Sequence, residues 1–126
     1  MIEALFSQPN YVTAKKALDG IALRQQAIAS NLANLEKPGY KRLDLAPSFK
    51  AELDRAAAAQ DAQQIAGLQP TLALDPNAGS SGPNGNNVNF EQEMLALNQN
   101  ALAHAVETQL VTGALLKLKL AITGKA

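Results

Sequence analysis

Residues 90–122 read FEQEMLALNQNALAHAVETQLVTGALLKLKLAI, and this stretch decides the fold. Every third or fourth position carries a side chain that can lie on one apolar stripe of an α-helix. These positions are Phe90, Met94, Leu97, Ala101, His104, Thr108, Val111, Leu115, Leu118 and Ile122. The pattern predicts one long C-terminal helix, capped by Asn87 or Asn89 and ended by Gly124. At about 1.5 Å per residue it spans about 50 Å, longer than a compact domain of this size needs.

A second stripe with the same rhythm lies near the start of the chain. It comprises Ala14, Leu18, Ile21, Ile28, Leu32 and Leu35, and Gln25 interrupts it. A helix with a narrow apolar stripe buries it against a similar helix, and since the chain returns on itself, the two helices should pack antiparallel. We therefore predict an all-α fold in which long N- and C-terminal amphipathic helices form a coiled-coil-like pair, with a short helix and a flexible loop between them. The predicted assembly seams consist of Leu18, Ile21, Ile28, Leu32, Leu97, Val111, Leu115, Leu118 and Ile122.

The segment between the two helices is richer in residues that break secondary structure. After a sharp turn at Pro38-Gly39, residues 43–45 are briefly extended, and a short helix runs from about Pro47 to Gly67. Residues 76–87 are almost entirely Pro, Gly, Ser and Asn, a composition typical of a flexible loop. We therefore divide the chain into a discontinuous helical core, residues 1–35 plus 88–126, and a variable middle segment, residues 36–87.

Composition excludes several classes of protein. At 126 residues the chain is long enough for one domain, and Ala and Leu supply most of its apolar content of 47%. Eleven basic and eleven acidic side chains balance, so no long-range field attracts nucleic acid. The chain has no cysteine, which excludes disulfides and thiolate metal sites. The first six residues do not resemble a cleavable secretory signal, and no apolar run reaches the ~18 residues of a membrane span.

No constellation of residues points to catalysis, a cofactor or a metal. His104 is the only histidine and lies on the predicted C-terminal seam, where a role in packing or at an interface is expected. The acidic residues of the first half are scattered, and no pair shares an evident cleft, so they indicate a solvated surface. We therefore expect a protein that is not an enzyme and acts through its helices.

The end of the first predicted helix carries the most specific motif in the chain. It consists of Ser30, Asn31, Leu32, Ala33 and Asn34, followed after three positions by Pro38, Gly39 and Tyr40. Small polar side chains suit a helix that packs closely while bonding to neighbouring backbone. The Pro-Gly pair turns the chain, and the ring of Tyr40 can pack back on the helix end.

This motif resembles the N-terminal signature of the bacterial flagellar basal-body rod protein family, and most closely its proximal rod protein B branch. The C-terminal third is also similar, at Gly85-Asn86-Asn87-Val88, at Asn100-Ala101-Leu102 and in the final apolar stretch. The middle of the chain carries little of the resemblance. Lys37 stands where the family often has Thr, and His104 where an aromatic side chain is usual.

The resemblance implies a structural subunit of the proximal rod that self-assembles into a helical axle and transmits torque from motor to hook. It implies a location in the periplasmic rod of the basal body, reached by type III export without a cleaved signal. The implied partners are other rod subunits, the base of the rod at the membrane ring and the export apparatus, with neither nucleic acid nor a small-molecule substrate. Phe49 and Leu53 resemble the short element that the export gate reads, although simple core packing is the more common reason for such spacing.

A soluble coiled-coil adaptor or an export chaperone is the alternative class. Such a protein shares the two helical stripes and the lack of catalytic residues. It does not need the motif between Ser30 and Tyr40, which therefore favours the rod subunit.

Overall fold

The computed structural model describes residues 6–124, and the architecture is mostly helical. In chain order the elements are helix α1 (Pro9–Ala33), strand β1 (Leu43–Leu45), helix α2 (Pro47–Ala58), helix α3 (Ala62–Gly67), strand β2 (Leu72–Leu74) and helix α4 (Phe90–Thr123). Residues 1–5, on which most of the expectation about a cleavable signal rests, lie outside the described residues. Within residues 6–124, no helix combines the length and the apolarity that crossing a membrane requires.

Helix α1 begins and ends where its local sequence predicts. Pro9 occupies the first turn, where its missing N–H is not needed, and the Thr13 hydroxyl donates to the Pro9 carbonyl at 2.6 Å. Asn34 is the residue after the last turn. Gly39 then adopts φ +76°, a left-handed conformation that glycine reaches without strain, and this turns the chain away from the helix axis.

Helix α4 has 34 residues and defined signals at both ends. The Asn89 side chain accepts a hydrogen bond from the Gln92 N–H. Of the two predicted N-cap residues, Asn87 and Asn89, the structure therefore uses Asn89. Glu91 lies in the first turn, near the positive end of the helix dipole. Gly124 adopts φ +66° and ends the helix, as predicted.

The middle segment differs from the prediction in two respects. First, the fold is not strictly all-α, because β1 pairs antiparallel with β2, with Leu43 opposite Leu74 and Leu45 opposite Leu72. Second, the predicted single helix is two helices, since Gln60 has φ +54° and the Asp61 side chain caps α3 by accepting from the Gln64 N–H. A residue in the left-handed region cannot continue an α-helix, so α2 ends before it.

The main apolar core lies between α1 and the middle segment. Its buried side chains come from α2 and α3, and partly buried side chains of α1, β1 and the α3–β2 loop pack against them. The buried members are Phe49, Leu53, Ala56 and Ile65, and the flanking members are Val12, Ala17, Leu45 and Leu68. Gly20 makes this packing possible, because a Cβ there would lie 2.6 Å from Cε1 of Phe49. The division into residues 1–35 plus 88–126 and 36–87 remains a prediction.

Helices α1 and α4 pack antiparallel, as predicted, but α4 turns a different side toward α1. The Asn100 side chain reaches the Ile21 carbonyl, and Asn31 reaches Glu93, so early residues of one helix meet late residues of the other. The buried residues of α4 are Glu93, Ala96 and Asn100. By contrast, the predicted inward positions Phe90, Met94, Ala101, His104, Thr108, Leu115 and Ile122 are exposed. Small and hydrogen-bonding side chains allow the close approach to α1, and the larger ones turn outward.

Candidate functional site

Asn31 is the centre of a buried polar junction between α1, β1 and α4. Its side chain is fully buried and donates to the Leu43 carbonyl at 2.8 Å and to Oε2 of Glu93 at 3.2 Å. Its oxygen accepts from the Leu43 N–H at 3.0 Å and from the Tyr40 hydroxyl at 3.1 Å. Asn31 thus pairs with the backbone of Leu43 as a strand would and also binds α4. Since four bonds satisfy this side chain, it fixes the position of three segments.

The other motif residues close the end of α1. The hydroxyls of Ser30 and Tyr40 are 2.9 Å apart, and the Asn34 side chain donates to the Ser30 carbonyl at 2.8 Å. The Gly39 N–H donates to the Asn84 carbonyl at 2.9 Å. Leu32 is half-buried, and Ala33 and Pro38 are exposed. The polar members of the motif therefore bind one another and the neighbouring backbone within the subunit, while Ala33 and Pro38 are exposed.

Arg42 holds the charged part of the junction. Its guanidinium donates to both carboxylate oxygens of Glu93, to Asp44 at 2.9 Å and to Asp75 at 2.8 Å. Glu93 is fully buried, and the Arg42 side chain is 8% exposed. Burial alone would lower the pKa of Arg42, but its bonds to Glu93 and Asp44 outweigh that and raise the pKa further above its usual value. Arg42 therefore stays charged and links β1, the segment after β2 and α4.

Asp44 lies between two arginines. Burial would raise the pKa of Asp44, but hydrogen bonds from Arg42 and from Arg24, at 2.9 Å, lower it below its usual value. Because Arg24 belongs to α1, this pair adds a second tie between α1 and β1. The ionised carboxylate is the form that the fold stabilises.

The end of the predicted flexible loop belongs to the junction. The Asn86 side chain is buried and donates to the Asn34 carbonyl at 2.9 Å and to the Lys37 carbonyl at 2.8 Å. The Asn87 side chain accepts from the Arg42 N–H at 2.7 Å. Residues 84–87 are therefore fixed against the motif, which corrects the prediction of a loop that is flexible over its whole length. Asparagine suits this role because one side chain can satisfy two backbone groups.

The geometry of the junction suits a structural role, in which its side chains hold the elements of the fold together by hydrogen bonds and ion pairs. Within residues 6–124, every buried side-chain nitrogen or oxygen has a hydrogen-bond partner. In the same range, no three His, Cys, Asp or Glu side chains are grouped to hold a metal ion. The space between the three carboxylates is filled by the Arg42 guanidinium. A buried polar network in which every group is paired mainly determines which surfaces pack together. Its net contribution to the free energy of unfolding is smaller.

The remaining predicted residues lie apart from this junction. Ile28 is buried, and Leu18, Ile21, Leu97, Val111 and Leu118 are half-buried. Leu115 and Ile122 are exposed, with Ile122 at 63%. Phe49 and Leu53 belong to the main core, which confirms the packing interpretation of that pair and leaves its export role a prediction. His104 is exposed beside Ile21, Gln25 and Asn100.

Several residues of the junction were not singled out from the sequence. Arg42 follows the motif by two positions, and Glu93 lies in the first turn of the predicted C-terminal helix, but the sequence predicts no bond between them. Asn86 and Asn100 lie in stretches that resemble the rod protein family, and Asp75 precedes the predicted flexible loop, but the sequence predicts no contact for any of them. One signal was available, since Glu93 lies one position from a predicted seam residue and an acid there needs a cationic partner.

Comparison with known proteins identifies the class to which this architecture belongs. No protein-family model matches the chain. The flagellar basal body rod protein FlgB of Borrelia hermsii is 30% identical over 115 residues, covering 77% of this chain and 83% of that protein. FlgB of Borreliella burgdorferi is 29% identical over 109 residues, covering 72% and 78%. FlgB of Bacillus subtilis is 26% identical over 118 residues, covering 87% and 90%.

These relatives are structural proteins of the flagellar rod, so the class is that of a structural component and not of an enzyme. The chain belongs to the flagellar basal body rod protein FlgB family. The buried junction accounts for the polar part of the motif between Ser30 and Tyr40 by the bonds described above.

Proposed function

We propose that this structural rod subunit self-assembles with its neighbours into the helical axle of the proximal rod and transmits torque from motor to hook. The observation that carries the proposal is the surface of α4. Of the twelve large hydrophobic side chains exposed among residues 6–124, ten lie on this helix. A helix of about 50 Å that exposes so much apolar surface is suited to contacts with other chains.

The proposed surface for contacts with other subunits lies near the C-terminal end of α4, where α1 does not cover large apolar side chains. Leu115 and Ile122 are exposed, and Leu118 is half-buried near the end of the helix. Head-to-tail contacts through such surfaces give an open helical assembly when the rotation between subunits does not close a ring. Other rod subunits and the base of the rod at the membrane ring are the proposed partners, and the coiled-coil character of the packing belongs to this proposal.

In this proposal, residues 1–35 plus 88–126 make the contacts between subunits in the rod, and residues 36–87 form the outer surface of the rod. The polar junction holds the two parts together within one subunit, because Asn31 of α1 and Arg42 of the middle segment both donate to Glu93 of α4. The middle segment then supplies the core that holds α1. Torque reaching α4 can pass to α1 and the middle segment through these contacts.

We further propose that Phe49 and Leu53 are read by the type III export gate, and that the subunit reaches the periplasmic rod without cleavage of a signal. Both side chains are buried, so recognition has to precede folding. The same four-residue spacing recurs at Phe90 and Met94, which are exposed. This second pair is an internal comparison for the first.

Complementation in a strain that lacks its own copy of this subunit tests the rod function. Leu115→Asp and Ile122→Asp place charges on exposed positions, so the fold should survive while rod contacts are lost. We expect both variants to be secreted and to be missing from isolated basal bodies, with motility abolished. Thr112→Asp, exposed on the same helix, is the matched control. Normal motility of both Leu115→Asp and Ile122→Asp would contradict the proposed contact surface.

A further inference from the structure

A groove lies between the C-terminal half of α4 and the start of α1. Its volume is about 510 Å³, and the end of α2 contributes to it through Ala57. On α4 the lining residues run from Glu107 to Lys117, which corresponds to about 15 Å along the helix axis. The groove is therefore nearly three helical turns long.

Small residues keep the groove open. Its lining includes Ala14, Ala57, Gly113 and Ala114. A Cβ added at Gly113 would meet nothing within 4 Å, so the subunit itself does not fill the space there. Leu110 also lines the groove and is 58% exposed. The groove thus offers an apolar surface together with room for a side chain from another chain.

Glu107 is the only charged side chain of α4 between Glu93 and Lys117. It is half-buried in the groove, and among residues 6–124 its carboxylate has neither a hydrogen bond nor an ion pair. Burial raises the pKa of Glu107, and no neighbouring cation opposes this effect. By contrast, the buried carboxylate of Glu93 is bound by Arg42. Glu107 is therefore a partly desolvated acid that the subunit leaves unpaired.

We propose that, in the assembled rod, a helix of a neighbouring rod subunit with a different sequence lies in this groove and places a lysine or arginine beside Glu107. The inference rests on the proposed rod function and specifies the chemistry of one of its contacts. The groove exists only where α4 lies on α1, so the contact is a property of the assembled subunit.

The charges of the groove favour a different sequence over a second copy. Glu107 and Lys117 lie nearly three turns apart, so a complementary helix carries a base at one level and an acid at the other. Copies in a head-to-tail assembly point the same way, and a parallel copy of α4 carries its acid before its base, as the groove itself does. It cannot satisfy both charges. The charged residues of α1 lie too close together to do so, within residues 15–24.

Reversing the charge in the groove tests the contact in a strain that lacks its own copy of this subunit. We expect Glu107→Lys to be secreted at the natural level but to be at least about tenfold less abundant in isolated basal bodies. Glu107→Gln should lie between this variant and the natural chain. Thr108→Lys, which adds the same charge at the adjacent exposed position, is the matched control and should be incorporated normally.

The same strain separates failure of this contact from failure of the rod function. Normal incorporation of Glu107→Lys, with loss of Leu115→Asp and Ile122→Asp, would overturn the groove contact and leave the rod function standing. Normal incorporation of all three variants would contradict both proposals. Equal losses for Glu107→Lys and Thr108→Lys would show that the groove is not what recognises the charge, and would also overturn the contact.

Filling the groove tests its occupation without changing a charge. Gly113→Leu places a large side chain in the open space, and leucine favours a helix over glycine, so a weaker helix cannot explain a loss. We expect at least about tenfold less of this variant in basal bodies, with secretion unchanged. Gly113→Ala adds only a methyl group and should be incorporated normally. Normal incorporation of Gly113→Leu would show that the groove stays empty in the rod.

Photo-cross-linking in isolated basal bodies identifies the occupant. A photoreactive phenylalanine analogue replaces Leu110, on the exposed side of the groove. On irradiation, the linked peptide should come from a chain of different sequence and should contain a lysine or arginine within four positions of the linked residue. A link to a second copy of this chain, a linked peptide without such a residue, or no link to another chain would overturn the proposal.

Discussion

Arg42 and Glu93 lie 51 positions apart in the sequence, and the guanidinium of the first donates to both carboxylate oxygens of the second. The pair is almost completely removed from water, and Asn31 donates to the same carboxylate. Helix α4 therefore attaches to the rest of the subunit through a charged bond at its N-terminal end. Because a buried charge without a partner is costly, this bond selects one register for α4 on α1.

Removing the Glu93 carboxylate should destabilise the fold strongly. Glu93→Ala leaves Arg42 buried with one acidic partner fewer and deprives Asn31 of a hydrogen bond. We expect a loss of about 3 kcal/mol in the free energy of unfolding, measured by urea denaturation. Glu91→Ala, exposed one half-turn away, should change the free energy by less than about 0.5 kcal/mol. Equal effects of the two substitutions would contradict the role given to the junction.

Gly20→Ala should destabilise the protein, although alanine favours helices over glycine. The new methyl group would lie 2.6 Å from a ring carbon of Phe49, so α2 would have to move away from α1. We expect a cost of about 1–3 kcal/mol from this overpacking, measured by thermal and urea unfolding. Gly67→Ala is the control, because a Cβ there meets nothing within 4 Å. An increase in stability for Gly20→Ala would show that the close contact does not exist in solution.

Stability should fall on acidification through the Asp44 carboxylate. The fold lowers the pKa of Asp44 below the usual value of 3.8 because Arg42 and Arg24 bind its ionised form. The stabilisation is therefore fully present above pH 3.8 and is lost as the pH falls through the lowered pKa.

Asp44→Asn removes this contribution at every pH. The difference in unfolding free energy between the natural chain and Asp44→Asn should therefore shrink as the pH falls from about 6 to about 3. Asp54→Asn, at an exposed position on α2, gives the comparison for a surface carboxylate. A difference that stays constant over this range would show that the two arginines do not bind the ionised form preferentially.

Phe49 and Leu53 allow export to be separated from packing. Phe49→Ala with Leu53→Ala should lower secretion while the chain accumulates inside a strain that cannot build the rod, if the export gate reads the pair. The matched control replaces Phe90 and Met94 by alanine, which keeps the spacing but alters exposed positions. Secreted and intracellular amounts should be measured together. Secretion at the natural level by the Phe49/Leu53 variant would eliminate the export role.

The long helices could be predicted from the sequence because local signals define them. The start of α1 at Pro9, the cap at Asn89 and the end at Gly124 depend on residues within one turn of each terminus. The same holds for the turn at Gly39. The most specific motif of the resemblance to the rod family is also a contiguous stretch, residues 30–40. In each case the information lies in neighbouring residues.

The side of α4 that packs on α1 could not be predicted, because it depends on distant partners. A stripe of leucines is usually buried, but here Glu93 and Asn100 take the inward positions since Arg42, Asn31 and Ile21 supply their hydrogen bonds. Helical periodicity cannot detect such bonds between distant residues. Strand β2 was missed for a similar reason, as three residues beside Pro70 pair only because β1 lies next to them.

The polar junction also limits when the subunit can complete its fold, because its residues are far apart in the sequence. Asn31 completes its hydrogen bonds only with Glu93. In a chain that is made from the N-terminus, the junction therefore stays incomplete until about three-quarters of the residues have been added. Bringing such distant residues together carries a loop-closure cost that no local contact offsets. The last hydrogen bond of the motif near the N-terminus can therefore form only after the start of the long C-terminal helix is available.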